Sequence, residues 1–165
     1  MTGDEQQTTV GQLPGPTTVH SRLATALTRL VWFLWALSCG ALAAHLWTGA
    51  TVSVPGVLRI DGLTVVMWAA VTTFSGIVHS YSQRYMAGNR DVARFFGRVF
   101  AFTLIVMALV AADHLLLFAA AWLAMGLVMA DLIGHVRGWP QAQAAASLAR
   151  RYFLASSGLL AVGLG

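Results

Sequence analysis

Three side chains have the type and placement to handle a proton: His79, Asp131 and His135. Histidine titrates near neutral pH, and a carboxylate inside an apolar stretch is costly enough to be functional as a rule. Asp131 lies deepest, about seven residues from the middle of an apolar run, or roughly 10 Å along a helix from its centre. On a helical wheel Ala120, Ala124, Asp131 and His135 share one face, where small residues let a neighbouring helix approach the carboxylate. Asp131 with His135 therefore reads either as a proton-accepting site at an entrance or as an interfacial pair that ends the helix. His79, beside Tyr81 and Ser82 at a helix end, is either a protonatable group at a mouth or a structural hydrogen-bonder. No catalytic, cofactor-binding or metal-ligating residue is assigned. The five histidines are scattered without an H-E-x-x-H spacing, and no glycine-rich phosphate loop or convincing triad occurs.

The elements that must position these groups are apolar helices. Of 165 residues, 58% are apolar and only 10% charged, where a soluble domain carries about a quarter charged residues. Mean hydropathy is +0.71. The expected fold is all-α, a polytopic transmembrane helix bundle with four full spans and a partial fifth. The net charge of +4 arises from arginine alone, since no lysine is present. Loop-clustered arginine fits membrane orientation, and no polar basic surface for nucleic acid is evident. The single cysteine, Cys39, lies in an apolar run and reads as a packing residue.

Residues 1–25, with Gly11, Pro14, Gly15 and Pro16, read as a disordered cytoplasmic tail, and 26–165 as the transmembrane region. Spans are expected at about 26–47, 61–82, 95–112 and 114–134, each near the roughly 20 residues that cross a bilayer core. Trp32, Trp35 and Trp47 suit headgroup levels. Residues 48–60 read as a short extramembrane loop, Asp61 as a helix cap, and Asp113 and His114 as a tight turn. Residues 136–151 are alanine-rich, a surface helix or the start of the fifth span. Residues 152–165 are too few to cross alone, covering about 21 Å. Gly126 and Ala130 form a small-xxx-small packing pair.

The stretch between spans two and three fixes the orientation. Arg84, Arg90, Arg94 and Arg98 set the topology, and Arg22, Arg29, Arg137, Arg150 and Arg151 fall on the same side, against Arg59 alone. Arginine-rich loops stay in the cytoplasm, so the N-terminus is expected there, in a bacterial inner membrane. The middles of the four full spans hold no ionisable group. These spans alone offer no proton or ion relay across the bilayer.

Several runs of residues resemble a known family. IDGLT at 60–64, HSYSQRYMAG at 79–88, RFF at 94–96, ADHLLLFAAAW at 112–122 and GL…DLIGH at 126–135 are similar to subunit 5 of proton-pumping NADH:quinone oxidoreductase. That family, also called NuoL-like, includes the Mrp-type antiporter subunits. The resemblance covers about residues 58–165 and implies the N-terminal part of a longer proton- or cation-translocating membrane subunit, alongside other subunits of a membrane complex in the lipid bilayer. Departures matter: the family's pump subunits carry glutamate directly after the span-four tryptophan, where Leu123 stands, and aspartate after a glycine in the next helix, where Leu159 follows Gly158. The family's pumping residues are therefore not carried over. AWLAMGL without glutamate, followed by LARRYF, looks closer to the DabB branch, which works with a DabA-like cytoplasmic partner in inorganic carbon uptake. Retained His79 and Tyr81 look more like the respiratory and antiporter branches. The expected role is scaffold. The alternatives are a subunit of NADH:quinone oxidoreductase itself, or a truncated non-transporting membrane-interaction protein complete at Gly165.

Overall fold

A computed structural model describes residues 18–86, 91–136 and 138–164. Its elements are α1 (Thr18–Thr48), β1 (Val52–Val54), β2 (Leu58–Ile60), α2 (Gly62–Tyr85), α3 (Val92–Ala111), α4 (Leu115–Ile133) and α5 (Pro140–Leu164). Among the described residues four helical segments are long and apolar enough to cross a membrane: Arg22–Thr48, Gly62–Tyr85, Val92–Ala111 and Leu115–Ile133. Successive helices pack antiparallel. Most of their apolar surface faces outward, with Phe33, Leu37, Phe74, Ile77, Leu104 and Leu116 all exposed. Such all-round hydrophobicity belongs to helices whose solvent is lipid or further helices.

α1 begins inside the stretch expected to be a tail. Leu23, Ala24, Ala26 and Leu27 are good helix formers, Ala24 is buried, and the Thr28 hydroxyl donates back to the Ala24 carbonyl at 2.8 Å. Residues 1–17 of the expected tail lie outside the described residues. At its far end α1 closes on Gly49, whose φ of 64° is the left-handed cap that glycine adopts without strain, with its N–H on the His45 carbonyl at 2.8 Å.

The expected loop at 48–60 is a β-hairpin. β1 and β2 pair antiparallel, Ser53 opposite Arg59, around a turn at Gly56 with φ 72°. The hairpin also fastens the turn between α3 and α4: Leu58 bridges to Ala112, and the Asp113 N–H donates to the Val57 carbonyl at 3.1 Å. From β2 the chain enters α2 through the motif IDGLT. Asp61 caps the helix, accepting from the Thr64 N–H at 3.0 Å, while the Thr64 hydroxyl reaches the Arg59 carbonyl at 3.2 Å. Accepting from both the N–H and the hydroxyl of Thr64, with Arg59 beside it, holds the Asp61 carboxyl below the usual carboxylate range. Gly62 admits the His45 ring, for a Cβ there would sit 2.7 Å from His45 Nε2.

Polar side chains tie α1 to α2 and α2 to α3. Gln83 Nε2 donates to Thr28 Oγ1 at 2.7 Å, Trp32 Nε1 to Ser80 Oγ at 3.0 Å, and Trp68 Nε1 to the Met107 carbonyl at 2.8 Å. The Trp32 indole lies against Gly76, so it is an interhelical anchor near the middle of α1 and not, as expected, an aromatic toward a helix end.

Beyond α4 the polar segment expected as a surface helix and the partial fifth span are one continuous helix, α5. Pro140 opens it, since proline suits the first turn, and the alanine-rich run that follows propagates it. α5 is not among the four membrane-crossing helices. Arg150 and Arg151 lie near its middle, so only its second half is apolar enough to enter a membrane core. It packs on α4, where Phe153 covers Gly126 and Ala146 lies against Gly134.

Candidate functional site

The antiparallel order gathers Arg22, Arg29, Arg84, Arg94, Arg98, Arg150 and Arg151 toward one end of the bundle and leaves Arg59 at the hairpin end. Arg90 and Arg137, also read as topology-setting, lie outside the described residues. Two polar sites form toward the arginine-rich end, one inside the bundle and one between α3, α4 and α5.

The inner site centres on His79, only 1% exposed. Its Nδ1 lies 2.8 Å from the Ser75 carbonyl. A carbonyl only accepts, so Nδ1 carries a proton in this contact. The ring's Nε2 is buried with no hydrogen-bond partner among the described residues. The ring meets Phe96 edge-on at 5.4 Å between centroids. Beside it Ser75 Oγ and Thr103 Oγ1 lie 2.6 Å apart across α2 and α3. Thr103 donates to the Val99 carbonyl at 2.9 Å, so Ser75 is the donor of the pair and Thr103 its acceptor. Thr72, fully buried, donates to the Trp68 carbonyl one turn back. Sequence reasoning missed Ser75, Thr72 and Thr103. Their hydroxyls can satisfy themselves on a preceding carbonyl, so their types alone do not mark an interhelical position.

The outer site centres on Asp131. Its partner is not His135: α4 ends at Ile133 with Gly134 as C-cap, so His135 leaves the helical face expected for it. Asp131 Oδ1 instead takes Arg150 Nη2 at 2.7 Å, and Oδ2 lies 3.8 Å from Arg98 Nη2. Arg98 Nη1 also points at the Asp131 carbonyl at 3.5 Å and at His135 Nδ1 at 3.4 Å. Arginine only donates, so His135 Nδ1 is the acceptor and the neutral ring carries its proton on Nε2, which is buried without a partner among the described residues. Burial first, then the Arg98 charge, lowers the His135 pKa, against an opposing pull from Asp91. His135 therefore stays neutral at physiological pH.

Phe95 and Phe96 join the two sites. Phe95 meets His135 at 5.3 Å and Phe96 at 5.8 Å between ring centroids. The two phenylalanines of the RFF motif are thus a hydrophobic wedge between His79 and the Asp131 cluster. Their rings transmit packing and offer no polar atom to carry a proton. Among the described residues no three His, Cys, Asp or Glu side chains group closely enough to hold a metal ion.

Four antiparallel apolar helices, with their charges held at the two ends, define a multi-pass α-helical membrane protein. Within that class the match is to one family: residues 47–96 fit the N-terminal segment of NADH-ubiquinone oxidoreductase (complex I) chain 5. That segment is the part of the chain similar to subunit 5, or NuoL-like, proteins. NADH-quinone oxidoreductase subunit L of Escherichia coli (strain K12) is 36% identical over 104 residues, covering 61% of this chain and 17% of that protein. The Rhodobacter capsulatus subunit L is 38% identical over 96 residues, 54% of this chain and 14% of that protein. F(420)H(2) dehydrogenase subunit L of Methanosarcina mazei is 34% identical over 95 residues, 58% of this chain and 14% of that protein. The chain thus spans between 14% and 17% of the length of these relatives.

Proposed function

We propose that this chain acts as the N-terminal helical scaffold of a subunit-5-type, proton- or cation-translocating membrane subunit. The observation that carries the reading is the use to which the family motifs are put. IDGLT caps α2 and ties it to the hairpin, HSYS and RFF lock α2 to α3, and none of them sets an ionisable group at the middle of a span. The arginine-rich end is read as cytoplasmic, with the N-terminus on that side of a bacterial inner membrane. The outward apolar faces suit lipid and the remaining subunits of a membrane complex.

Two polar groups stand as proton-path candidates in this reading. His79 is a buried imidazole inside the bundle, and Asp131 is a carboxylate clamped by arginines, with His135 as its neighbour through Arg98. The clamp favours a structural part for Asp131, whose carboxylate ties α4 to α5 through Arg150 and faces α3 through Arg98.

A second reading, a DabB-type subunit coupled to inorganic carbon uptake beside a DabA-like partner, is favoured by Leu123. That residue lies half-buried near the middle of α4, where the resemblance puts glutamate in pump subunits. A respiratory complex and a DabA-like protein are told apart by which of them co-purifies with the chain.

The test of the scaffold reading is proton flux in proteoliposomes holding the purified chain alone. The expected result is the leak of empty vesicles under an imposed pH gradient. A flux that Asp131→Asn or His79→Phe abolishes would overturn the reading.

A further inference from the structure

The cavity between α3, α4 and α5 has a polar lining that its own groups leave unbalanced. It encloses about 380 Å³ at the arginine-rich end, and Arg98, Asp131, Gly134, Gln143 and Arg150 contribute its polar wall. Asp131 is the one carboxylate in that wall, against two guanidinium groups. Asp91, which acts on His135, is not part of the lining.

The hydrogen-bond inventory points the same way. Arg150 makes one short contact, 2.7 Å to Asp131. Arg98 reaches its partners only at 3.4 to 3.8 Å, longer than the roughly 2.7–2.9 Å of a full charge-assisted bond. Arg98 thus lines the cavity without a contact of that length among the described residues. Gln143 Nε2 donates to the Gly134 carbonyl at 2.9 Å and to the Val136 carbonyl at 3.3 Å, adding a further donor to the same wall. Donors exceed acceptors, and α5 begins beside the cavity with no acidic residue in its first turn to offset the positive end of its dipole.

We propose that this cavity is a phosphate-binding site, taking either the headgroup of an anionic phospholipid or free phosphate. Arginine forks match tetrahedral oxyanions in geometry as well as charge. A phosphate drawn between Arg98 and Arg150 would meet both guanidinium groups, with Asp131 as the competitor it must partly displace. Arg98 is 30% exposed and Arg150 54%, so the guanidinium groups are reachable from outside. A pocket of this kind between helices at a charged membrane face suits anionic headgroups. The inference does not depend on translocation, and it would hold for a chain that moves no ion.

The experiment titrates the full chain in dodecyl maltoside with phosphatidylglycerol, phosphatidylcholine and inorganic phosphate, read by native mass spectrometry and calorimetry. Saturable binding of phosphatidylglycerol over phosphatidylcholine, or of inorganic phosphate, is expected. Arg98→Gln and Arg150→Gln should each weaken it about tenfold, the loss of one charge-assisted contact. Asp131→Asn should tighten binding, a gain that misfolding cannot mimic. Arg84→Gln, which removes an exposed charge at the same end outside the cavity, should leave binding unchanged. Phosphatidylglycerol bound without phosphate assigns the headgroup as the source, and phosphate bound alone assigns the free anion. Binding of neither, or equal weakening by Arg84→Gln and Arg150→Gln, or loss of binding in Asp131→Asn, overturns the site.

Discussion

Replacing Gly126 by alanine probes the seam that holds α5 on α4. A Cβ at this position would collide with the Phe153 ring and lie 2.8 Å from Phe153 Cβ. The ring cannot swing clear without moving its own backbone, because the Cβ that anchors it is among the atoms struck. Over-packing of this kind costs about 1–3 kcal/mol. Gly97 in α3 has nothing within 4 Å of the same added atom, so Gly97→Ala gains the helix preference of alanine over glycine, about 0.5–1 kcal/mol. The two Gly→Ala changes should therefore move stability in opposite directions. The assay is unfolding by sodium dodecyl sulfate in mixed micelles, followed by far-ultraviolet circular dichroism. In a double-mutant cycle, Phe153→Ala should cost less in the Gly126→Ala background than in the parent chain, since the clash is then relieved. Equal effects of Gly126→Ala and Gly97→Ala, or no coupling to Phe153, would show that α5 does not lie against α4 in this register.

Three further outcomes follow from the polar contacts. Thr103→Val leaves the Ser75 hydroxyl without its acceptor and should cost about 1–3 kcal/mol; adding Ser75→Ala should recover most of that loss in the same assay. The His135 pKa is depressed in the fold, so the neutral form is the one the fold prefers. Its contribution is fully present above the unfolded value of about 6.5 and is lost as pH falls through the folded value. Thermal midpoints measured from pH 7.5 to 5 should drop for the parent chain and drop less for His135→Gln. Gly62→Ala sets a methyl 2.7 Å from His45 Nε2, a ring already held by the Ala50 carbonyl at 2.9 Å. It should lower the thermal midpoint, and His45→Ala in the same chain should restore it.

Much of the fold was legible because membrane spans are written in hydrophobicity and their direction in arginine. The Asp61 cap was legible too, since an aspartate before an apolar run has one local use. The hairpin was not: TVSVPGVLRI was read through its proline and glycine, although the alternation on either side is a strand signal. The continuity of α5 was hidden by polarity, because Gln141, Gln143, Arg150 and Arg151 looked like surface while the alanines between them were setting the backbone. The Asp131 cluster failed for a different reason. A helical wheel assumes that the helix goes on, and Gly134 ends it. The carboxylate's partners come from α3 and α5, 33 and 19 residues away in sequence, where no local pattern could find them.

The scaffold proposed above has Leu123 in span four, where the resemblance puts a glutamate in pump subunits. The most direct test places residues 47–134 in the corresponding segment of the Escherichia coli subunit L, as they stand and with Leu123→Glu, and measures complex assembly and NADH-driven acidification of inverted membrane vesicles. Assembly is expected with both segments, and acidification only with the glutamate. Failure of both segments to assemble, or equal acidification with leucine, would contradict the scaffold reading.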